Sequence, residues 1–367
     1  MSGKLKVGIL FGGQSAEHEV SLQSAKNIIA AIDRAKYDIV LIGIDRDGRW
    51  YLQEDEDFLR AEDDPRHITL QVSGREITLA AGNHEKQLIP ISEPADARRV
   101  DVVFPVLHGP MGEDGTVQGL LKLAQIPFVG GDVLGSAVGM DKDVMKRLLR
   151  DAGLPIGAFI TLRRHERARL TFADVRDELG VPVFIKPANM GSSVGVHRAG
   201  SEEEFAQALD DAFRYDSKVV IEAFIEGREI ECSVLGNEHP SASVPGEVIP
   251  SHEFYSYEAK YLDEHGAALR IPADLPEAVV ARVQELAVAT FQTLNCEGMA
   301  RVDFFLRGDS ELIVNEINTI PGFTRISMYP KLWEASGLSY ATLIERLITL
   351  ALERHERDRK LLSRVDF

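Results

Sequence analysis

Cysteine, long apolar runs and excess positive charge are all missing from this sequence or scarce in it. Its 367 residues include two cysteines, Cys232 and Cys296, which lack the CxxC spacing of zinc and redox sites. We therefore expect two structural thiols. No run approaches the roughly 20 apolar residues of a membrane span, and the N-terminus lacks the apolar core and cleavage site of a secretory signal. These absences predict a cytoplasmic enzyme that makes no use of a membrane.

The charge balance argues against two classes of partner. The formal net charge is −17 and the pI is about 5.1, which disfavours nonspecific binding to nucleic acid or to anionic membrane surfaces. A local basic pocket could still bind a small anion. With 44% hydrophobic and 27% charged residues, the chain is long enough for about two or three globular domains. A collagen-like or disordered protein is excluded.

The first third of the chain alternates short apolar runs with glycine turns. Residues 6–11 are expected to form a buried strand, followed by a turn and a helix, and residues 39–44 the next strand. The runs "DVVFPVLHG" and "IPFVGG" repeat this pattern, which predicts an α/β domain with a parallel sheet. The polar stretch 47–97 indicates an excursion or a small hairpin, and we assign it no role.

The pattern changes near residue 130, where we place a domain boundary. Asp141 is expected to cap a helix, and Ser201 suits the N-terminus of another. The apolar side of the first of these helices carries Val144, Met145, Leu148 and Leu149. A long helix at about 276–294 precedes the expected hairpin "MARVDFFLRGDSELIVNEIN".

Two polar pairs stand on the strands of this hairpin. Arg301 and Asp303 are two residues apart, as are Glu316 and Asn318, and strand side chains at that spacing point to one face. The turn lets the strands run antiparallel, so all four groups could share a face. Two carboxylates and an amide oxygen are hard ligands that suit Mg²⁺ shared with phosphate groups. The alternative is a solvent-facing sheet surface with an ordinary Arg-Asp ion pair.

A glycine-serine loop and two lysines offer a phosphate site. The loop "NMGSSVGV" carries backbone amides and hydroxyls that could surround phosphate oxygens, because glycine permits close approach. A flexible hairpin connection would have a similar sequence. Lys186 precedes the loop on an apolar strand, and a buried lysine needs an anionic partner. Lys142 is a second candidate cation, with a solvated helix residue as the alternative.

Several acidic residues and one histidine are further candidates for ligand contacts. The segment "VVIEAFIEG" is apolar except for its glutamates, so its backbone could pair with a purine edge while Glu222 and Glu229 receive ribose hydroxyls. Glu226 is more simply a surface residue. His108 follows a strand of the first domain, where open α/β sheets bind ligands, although a capping histidine would also fit. Glu17, in the first glycine turn, would repel a pyrophosphate and attract an ammonium group.

Seven motifs occur in order along nearly the whole chain: "GGQSAEHEVS", "HGPMGEDGTVQG", "GMDKDVMK", "IKPANMGSSVGV", "YEAKY", "ARVDFF" and "NEINTIPGFT". Together they resemble the ATP-grasp superfamily and, within it, the D-alanine–D-alanine ligase family. The resemblance implies an α/β and α+β protein in which a Rossmann-like N-terminal domain, 1–130, precedes a two-subdomain ATP-grasp fold. The central subdomain would span 131–221 and carry the phosphate-covering loop. The C-terminal subdomain, 222–367, would carry the metal site and a lid at about 250–265.

The same resemblance implies roles around ATP. Asp303, Glu316 and Asn318 would hold two Mg²⁺ (or Mn²⁺) ions against the phosphates. The other nucleotide contacts would come from Lys142, Lys186, Ser193, Glu222, Ala223, Phe224, Ile225, Glu229, Lys260 and Asn315. Many relatives carry a lysine at the position of Ala223. That contact is expected to use the backbone, so ATP binding is expected to survive.

For the amino-acid substrate, the resemblance implies a first subsite around Glu17. This carboxylate would bind the ammonium group of the first D-alanine, with His108 and Tyr255 nearby. Tyr261 of the lid would bond to Ser192 and, through it, to Glu17. A tyrosine at this lid position favours dipeptide over D-alanine–D-lactate formation.

The second subsite and the reaction follow from the same resemblance. Arg301 and the Gly322 amide would form an oxyanion hole, while Ser327 and the backbone of Met328 would hold the second carboxylate. Two D-alanine molecules would be joined through an acyl phosphate, giving ADP and phosphate, for peptidoglycan precursor synthesis. The expected partners are ATP and D-alanine in two subsites, within a homodimer.

Three other functions would require different sequence features. A binding module without turnover would lack metal ligands, and none is missing. A dehydrogenase would need a GxGxxG fingerprint, which is not found. A ligase for another carboxylate and amine is the stronger rival, because its ATP half would look the same.

Overall fold

The computed structural model describes residues 3–53, 58–60, 67–72, 74–82, 85–250, 267–324 and 326–362. Within them, the chain builds three sheets of four to six strands and a small two-stranded piece. Both cysteines are buried and free, and burial raises the pKa of each thiol to about 12. The expectation of structural thiols is confirmed. No helix in the described part of the chain combines the length and the apolar character needed to cross a bilayer.

The first sheet has the strand order β7-β6-β3-β2-β1-β8. Its strands are β1 (Leu5–Gly12), β2 (Tyr37–Ile44), β3 (Trp50–Gln53), β6 (Arg75–Leu79), β7 (Leu88–Pro90) and β8 (Val102–Val106). Strands β2, β1 and β8 are parallel, as predicted, while β3, β6 and β7 add to the edge in antiparallel fashion. The interruption at 47–97 therefore extends the first sheet, with β4 (Leu59–Arg60) and β5 (Thr69–Leu70) paired beside it.

Helices connect and cover this sheet. They are α1 (His18–Ala31), a 3₁₀ turn (Pro94–Asp96), α2 (Thr116–Leu123) and α3 (Val133–Met140). Helix α1 follows the glycine turn after β1 and buries Leu22, Ala25 and Ile28 against the sheet. This is the strand, turn and helix expected from the sequence.

The second sheet is antiparallel, with the order β11-β10-β12-β9. Its strands are β9 (Phe159–Arg163), β10 (Val183–Pro187), β11 (His197–Ala199) and β12 (Lys218–Ala223). Helix α4 (Lys142–Asp151) precedes the first of these strands in the chain. A 3₁₀ turn (Arg164–Arg169) and α5 (Phe172–Leu179) connect β9 to β10, and α6 (Glu202–Tyr215) connects β11 to β12. Ser201 caps α6 by accepting from the Glu204 amide, as expected.

The third sheet carries the hairpin. Its strands are β13 (Arg228–Gly236), β14 (Ser241–Ala242), β15 (Gly246–Pro250), β16 (Ala267–Arg270), β17 (Gly298–Arg307) and β18 (Glu311–Asn318). The order is β16-β15-β13-β17-β18, with β14 paired to β13. Helices α7 (Glu277–Thr293), α8 (Met328–Ala335) and α9 (Tyr340–Arg359) complete the described chain.

Helix α4 joins the third sheet rather than the second. Asp141 caps it by accepting from the amides of Asp143 and Val144, as predicted. Met145 and Leu149 are fully buried in a core made mainly by α7 and the third sheet. Leu148, expected on the same apolar side, is instead 38% exposed. Leu148 therefore lies outside the buried side of the helix, although the sequence pattern predicts it there.

Helix α9 packs back onto the first sheet. Its residues Leu343, Leu347 and Ile348 share a core with Val7 and Phe104, so the two ends of the chain form one hydrophobic unit. Strand β12 continues to Ala223, past the expected division at 221/222. The division into three domains stays a prediction, with α4 and α9 contributing to cores outside their own segment.

Candidate active site

A cavity of about 460 Å³ lies where the three sheets meet. It is lined by residues of the first glycine turn, the loop after β8, the glycine-serine loop, the end of β12 and the β17–β18 hairpin. Residues far apart in sequence therefore reach one space. The described residues at this cavity include most of those singled out above.

The hairpin brings its four polar residues onto one face. Arg301 pairs with Asn318 across the two strands, and Asp303 pairs with Glu316. Asn318 Nδ2 donates to Asp303 Oδ2 at 3.0 Å. The partly buried side chains line the cavity instead of a solvent-facing surface, so the expectation of a shared polar face is confirmed.

A β-bulge re-aims the second strand at this point. The register shifts between Asp303 and Phe304, whose partners are Glu316 and Val314, so Asn315 has no cross-strand partner. A bulge keeps the apolar face of the strand in the core while it bends the strand locally. Asn315 consequently lines the cavity beside Glu316.

Arg301 is held by two carboxylates. Its Nε and Nη2 donate to Asp303 Oδ1 and Oδ2, each at 2.7 Å, in a bidentate pair. Glu231 Oε2 lies 2.9 Å from the same Nε. Glu231 was missed by sequence reasoning, although its two-residue spacing from Glu229 on β13 places both on one face.

The hairpin residues fit a magnesium site by their donor chemistry. Asp303 and Glu316 face each other across the strands, and the Asn318 amide lies beside them. Oxygen-only donor sets of this kind suit Mg²⁺ or Mn²⁺. Among the described residues, no group of three or more His, Cys, Asp or Glu side chains is arranged to hold a metal ion. The carboxylate of Asp303 instead engages Arg301.

Three lysines approach the cavity. Lys142 Nζ donates to the Met190 carbonyl at 2.7 Å and lies 3.9 Å from Glu316 Oε2. Its side chain is 12% exposed, so it is not the solvated helix residue of the alternative interpretation. Lys186 and Lys146 flank Glu222, at 2.7 and 3.2 Å from its two oxygens.

Glu222 is the anionic partner that the buried Lys186 needed. Burial opposes its charge, but Lys146 and Lys186 lower its pKa to about 2. Burial acts against the charge of Lys186 as well, and Glu222 and Glu316 nevertheless raise its pKa. Both carboxylate oxygens of Glu222 thus face lysines, which leaves Glu229 as the stronger candidate for ribose. Lys146 was missed, although its four-residue spacing from Lys142 on α4 signals a shared helix face.

The glycine-serine loop reaches the first glycine turn. Ser192 Oγ donates to Glu17 Oε1, joining residues 175 positions apart. Ser192 and Ser193 adopt positive φ values of 50° and 61°, an uncommon conformation that binding loops often contain. The expected link from Ser192 to Glu17 is present. Tyr255, Lys260 and Tyr261 lie outside the described residues.

Glu113 joins Glu17 and His108 in the wall of the cavity. Gly109 N donates to Glu113 Oε1 at 2.7 Å. Burial and the neighbouring Glu17 charge raise the pKa of Glu113 to about 8. Sequence reasoning missed Glu113, although it lies in the quoted run "HGPMGEDGTVQG".

His108 is fixed in one tautomer by its partners. Its Nδ1 lies 3.0 Å from the Ile320 carbonyl, which can only accept, so Nδ1 carries the proton. Nε2 then accepts from Ser24 Oγ at 3.3 Å. Burial lowers the pKa of His108, so the ring is neutral at pH 7. Ser24 also accepts from the Phe323 amide, which fixes the chain next to Gly322.

The expected second subsite lies after β18. Ser327 Oγ accepts from the Thr324 amide at 3.1 Å, and a Cβ on Gly322 would lie 2.8 Å from it. Met328 begins helix α8, whose N-terminal amides are suited to a carboxylate. Gly322, Ser327 and Met328 all line the cavity.

The expected adenine segment lies at the other end. Ala223, Phe224 and Ile225 line the cavity with Phe184, whose ring centroid is 6.1 Å from that of Phe224. The Ala223 amide donates to the Ala158 carbonyl, and the Phe224 amide donates to the Pro182 carbonyl. A purine edge would therefore use other backbone groups of this segment.

Comparisons with known families cover both ends of the chain. The family model described as the D-ala D-ala ligase N-terminus matches residues 6–131, and the D-ala D-ala ligase C-terminus matches residues 148–349. The chain is 56% identical over 362 residues to a D-alanine–D-alanine ligase of Shouchella clausii, covering 99% of this chain and 98% of that protein. It is 55% identical over 358 residues to D-alanine–D-alanine ligase A of Escherichia coli, with 98% of each covered.

Solved structures agree in fold. The D-alanine–D-alanine ligase of Coxiella burnetii, 43% identical, superimposes with a TM-score of 0.86 over 97% of this chain and 96% of that one. The VanG D-Ala:D-Ser ligase of Enterococcus faecalis, 35% identical, superimposes with a TM-score of 0.83 over 95% of this chain and 100% of that one. A Bacillus anthracis D-alanine–D-alanine ligase complexed with ATP, 29% identical, superimposes with a TM-score of 0.72 over 96% of this chain and 99% of that one.

These matches span nearly the whole chain and agree with the motifs and the three sheets. The fold is the α/β and α+β architecture of the ATP-grasp ligases, with a Rossmann-like sheet at its N-terminus. The chain belongs to the D-alanine–D-alanine ligase family.

Proposed function

We propose that this chain joins two D-alanine molecules to D-alanyl-D-alanine at the expense of ATP, giving ADP and phosphate, in the synthesis of peptidoglycan precursors. The observation that carries the proposal is the shared cavity. There the lysines and hairpin carboxylates suited to a nucleotide triphosphate meet Glu17, Arg301 and Ser327, which are suited to an amino acid. The homodimer expected from the resemblance remains part of the proposal.

ATP would lie between the second and third sheets. Ala223, Phe224 and Ile225 would surround the adenine, and Glu229 would receive the ribose. Lys142, Lys186 and the amides near Ser193 would contact the phosphates. The positive charge of the two lysines would offset the charge that phosphoryl transfer must accommodate.

Asp303, Glu316 and Asn318 would hold two Mg²⁺ or Mn²⁺ ions, with Asn315 close to the nucleotide. When bound, such ions neutralise phosphate charge and align the transferred group. Asp303 would then exchange part of its bidentate contact with Arg301 for the metal. Glu231 lies on the same guanidinium and would continue to orient it.

The amino-acid subsites would lie on the opposite side of the phosphates. Glu17 would bind the ammonium group of the first D-alanine, with Ser192 fixing the carboxylate and neutral His108 nearby. Ser327 and the Met328 amide would hold the carboxylate of the second D-alanine. Arg301 and the Gly322 amide would stand between the two subsites.

The chemistry proceeds in two displacements. A carboxylate oxygen of the first D-alanine attacks the γ-phosphorus, the bond to the β–γ bridging oxygen breaks, and ADP leaves. The deprotonated amine of the second D-alanine then attacks the acyl carbon, and Arg301 with the Gly322 amide stabilises the oxyanion. Phosphate departs with its bonding electron pair and takes up the proton that the amide nitrogen loses. The lid at about 250–265, which contains Tyr255, Lys260 and Tyr261, is expected to exclude water. Residues 251–266 lie outside the described residues.

An amino-acid panel with ADP and phosphate detection tests the proposal. D-Alanine with ATP and Mg²⁺ is expected to release both products, L-alanine is not, and omission of Mg²⁺ is expected to abolish release. D-Serine belongs in the panel, because the VanG relative is titled a D-Ala:D-Ser ligase and shares this fold. Equal rates with the two alanine enantiomers, or mixed products with D-serine exceeding the D-alanine dipeptide, would reject the proposed substrate.

The proposed metal ligands can be tested in the same assay with a matched control variant. Glu316→Gln is expected to keep the circular dichroism spectrum of the unchanged protein. It is expected to release no ADP or phosphate at any Mg²⁺ concentration, because it removes one of two facing carboxylates. Glu311→Gln changes an exposed glutamate of the same strand and is expected to behave as the unchanged protein. Near-normal release by Glu316→Gln would contradict the proposed metal role.

A further inference from the structure

A group of charged and polar residues lies next to Lys142 and the glycine-serine loop but outside the lining of the cavity. We call Asp141, Asp143, Asn189, Asp216 and Lys218 the junction cluster. Asp141 and Asp143 lie at the start of α4, Asn189 is the first residue of the glycine-serine loop, and Asp216 and Lys218 lie where the chain passes from α6 into β12. None of the five lines the cavity.

Lys218 is the central cation of the junction cluster. Its side chain is 9% exposed, and its Nζ donates to the two oxygens of Asp141 at 2.7 and 2.6 Å. A third bond reaches Asp143 Oδ2 at 3.2 Å. Lys218 belongs to the second sheet, whereas the helix that Asp141 caps packs into the core of the third sheet. The ion pairs therefore join two separately packed units.

The same cluster anchors the beginning of the glycine-serine loop. The Asn189 amide and its Nδ2 both donate to Asp216 Oδ2 at 2.9 Å, and the Lys218 amide donates to Asp216 Oδ1. The Ala188 amide donates to the Lys218 carbonyl. The amides of Ala188 and Asn189 and the side chain of Asn189 are thus tied to residues 216–218, where the chain enters β12.

Lys142 and the glycine-serine loop, the two elements proposed to contact phosphate, both adjoin the junction cluster. Lys142 is the residue after Asp141, and its amide donates to the Ala188 carbonyl at 3.0 Å. Its Nζ donates to the carbonyl of Met190, the residue after Asn189. A shift of Lys218 or Asp216 would therefore move Lys142 and the loop relative to each other.

We propose that the junction cluster is a positioning unit that sets the separation of Lys142 and the glycine-serine loop, and thereby the affinity for the β- and γ-phosphates. The inference rests on the proposed function in one respect, that these two elements bind the phosphates of ATP. A buried ion pair is a weak source of net stability, because desolvation offsets the attraction. Its directional bonds can still hold two units in one arrangement, which is the role assigned here.

The test compares nucleotides that differ only in phosphates. Lys218→Met keeps most of the buried stem and removes the charge. In the intact protein with Mg²⁺, we expect the ATP dissociation constant to rise about tenfold or more, and that of AMP to change by less than about twofold. Competition against a fluorescent ATP analogue measures both constants. In steady state, KM for ATP is expected to rise, while KM for D-alanine stays within about twofold.

Controls separate positioning from a general loss of structure. Lys36→Met removes an exposed lysine that pairs with Glu345, and it is expected to leave both nucleotide affinities unchanged. If Lys218→Met does not fold, Asp216→Ala removes both acceptor oxygens, releases the loop from the opposite side of the junction and is expected to give the same selective loss of ATP affinity. Thermal melts of all variants confirm the folded state at the assay temperature.

Two outcomes would overturn the inference. One is an equal loss of ATP and AMP affinity, which indicates a structural defect. The other is unchanged ATP affinity in a folded Lys218→Met or Asp216→Ala variant. The proposed function fails separately, if the unchanged protein binds ATP but releases no phosphate with D-alanine.

Discussion

Glu113 shows how the charge of a single residue in the cavity depends on its surroundings. Burial and the charge of Glu17 act together on its carboxyl group, and the amides of Gly109 and Ile320 only partly offset them. The resulting pKa of about 8, against an ordinary value of 4.5, leaves Glu113 largely protonated at pH 7. Glu113 therefore keeps its proton to a higher pH than an exposed glutamate does.

This shift predicts a pH dependence of stability. Between pH 4.5 and pH 8 the folded protein binds more protons at Glu113 than the unfolded chain, so the free energy of unfolding falls as the pH rises. Glu113→Gln cannot ionise and therefore lacks this contribution. Its Tm at pH 5 minus its Tm at pH 8 is expected to be smaller than that of the unchanged protein by about 2 °C or more. Thermal melts at both pH values measure it.

The control for this prediction is Glu285→Gln, which changes an exposed carboxyl on α7 and is expected to leave the Tm difference as it was. An unaltered Tm difference in Glu113→Gln would contradict the pKa assigned to this carboxyl.

Residue by residue, sequence reasoning located side chains better than it located their partners. The polar faces of Asp303 and Glu316 follow from strand periodicity, and the buried position of Lys186 follows from its apolar neighbours. The pairing of Lys186 with Glu222, rather than with a ligand alone, required two strands to lie side by side. No local pattern specifies that distance.

Among the elements, helix α3 depends on a close backbone contact. A Cβ on Gly135 would lie 2.5 Å from the Asn295 carbonyl oxygen and 3.0 Å from Cys296 Cα. Those backbone atoms belong to the turn between α7 and β17, so the contact holds the first half of the hairpin in place. Only a residue without a side chain fits there.

Two glycine substitutions give opposite predictions. Gly135→Ala is expected to destabilise the fold by about 1–3 kcal/mol, because backbone must move to admit the methyl group. Gly119→Ala, in helix α2 where nothing lies within 4 Å of the new Cβ, is expected to stabilise by up to about 1 kcal/mol. Urea unfolding measures both. Equal effects of the two changes would contradict the close approach of α3.

The hairpin shows how far an element can be predicted. Its strands, its turn and the common face of its polar residues follow from a period of two and from "GDS" between the strands. The bulge at Asn315 does not follow, because it depends on how β18 bends between β17 and the helices packed on it.

For the whole molecule, the shared core of the first sheet and α9 predicts joint unfolding of the chain's two ends. Leu347→Ala is expected to cost about 2–5 kcal/mol, because the leucine is fully buried there. Trp333 in α8 lies in this shared core, whereas Trp50 in β3 packs against another core of the first sheet, so the two tryptophans report on different parts of the structure. Single-tryptophan forms made by Trp→Phe substitution are expected to show the same shifted midpoint.

An exposed leucine supplies the comparison. Leu362 is 95% exposed, and Leu362→Ala is expected to leave both midpoints unchanged. If Leu347→Ala moved the Trp333 midpoint alone, the first sheet and the C-terminal helices would be independent units, contrary to the packing.

Short-range patterns in the sequence determined the strands, the capped helices and the polar face of the hairpin. These depend on side-chain periodicity and on hydrogen bonds between near neighbours in the chain. The seven ordered motifs carried the resemblance to the family. Only the tertiary structure decided that Ser192 contacts Glu17, that the pKa of Glu113 is raised and that α9 completes the first core. Those outcomes depend on which distant segments share space, and burial sets the energy of every charge placed there.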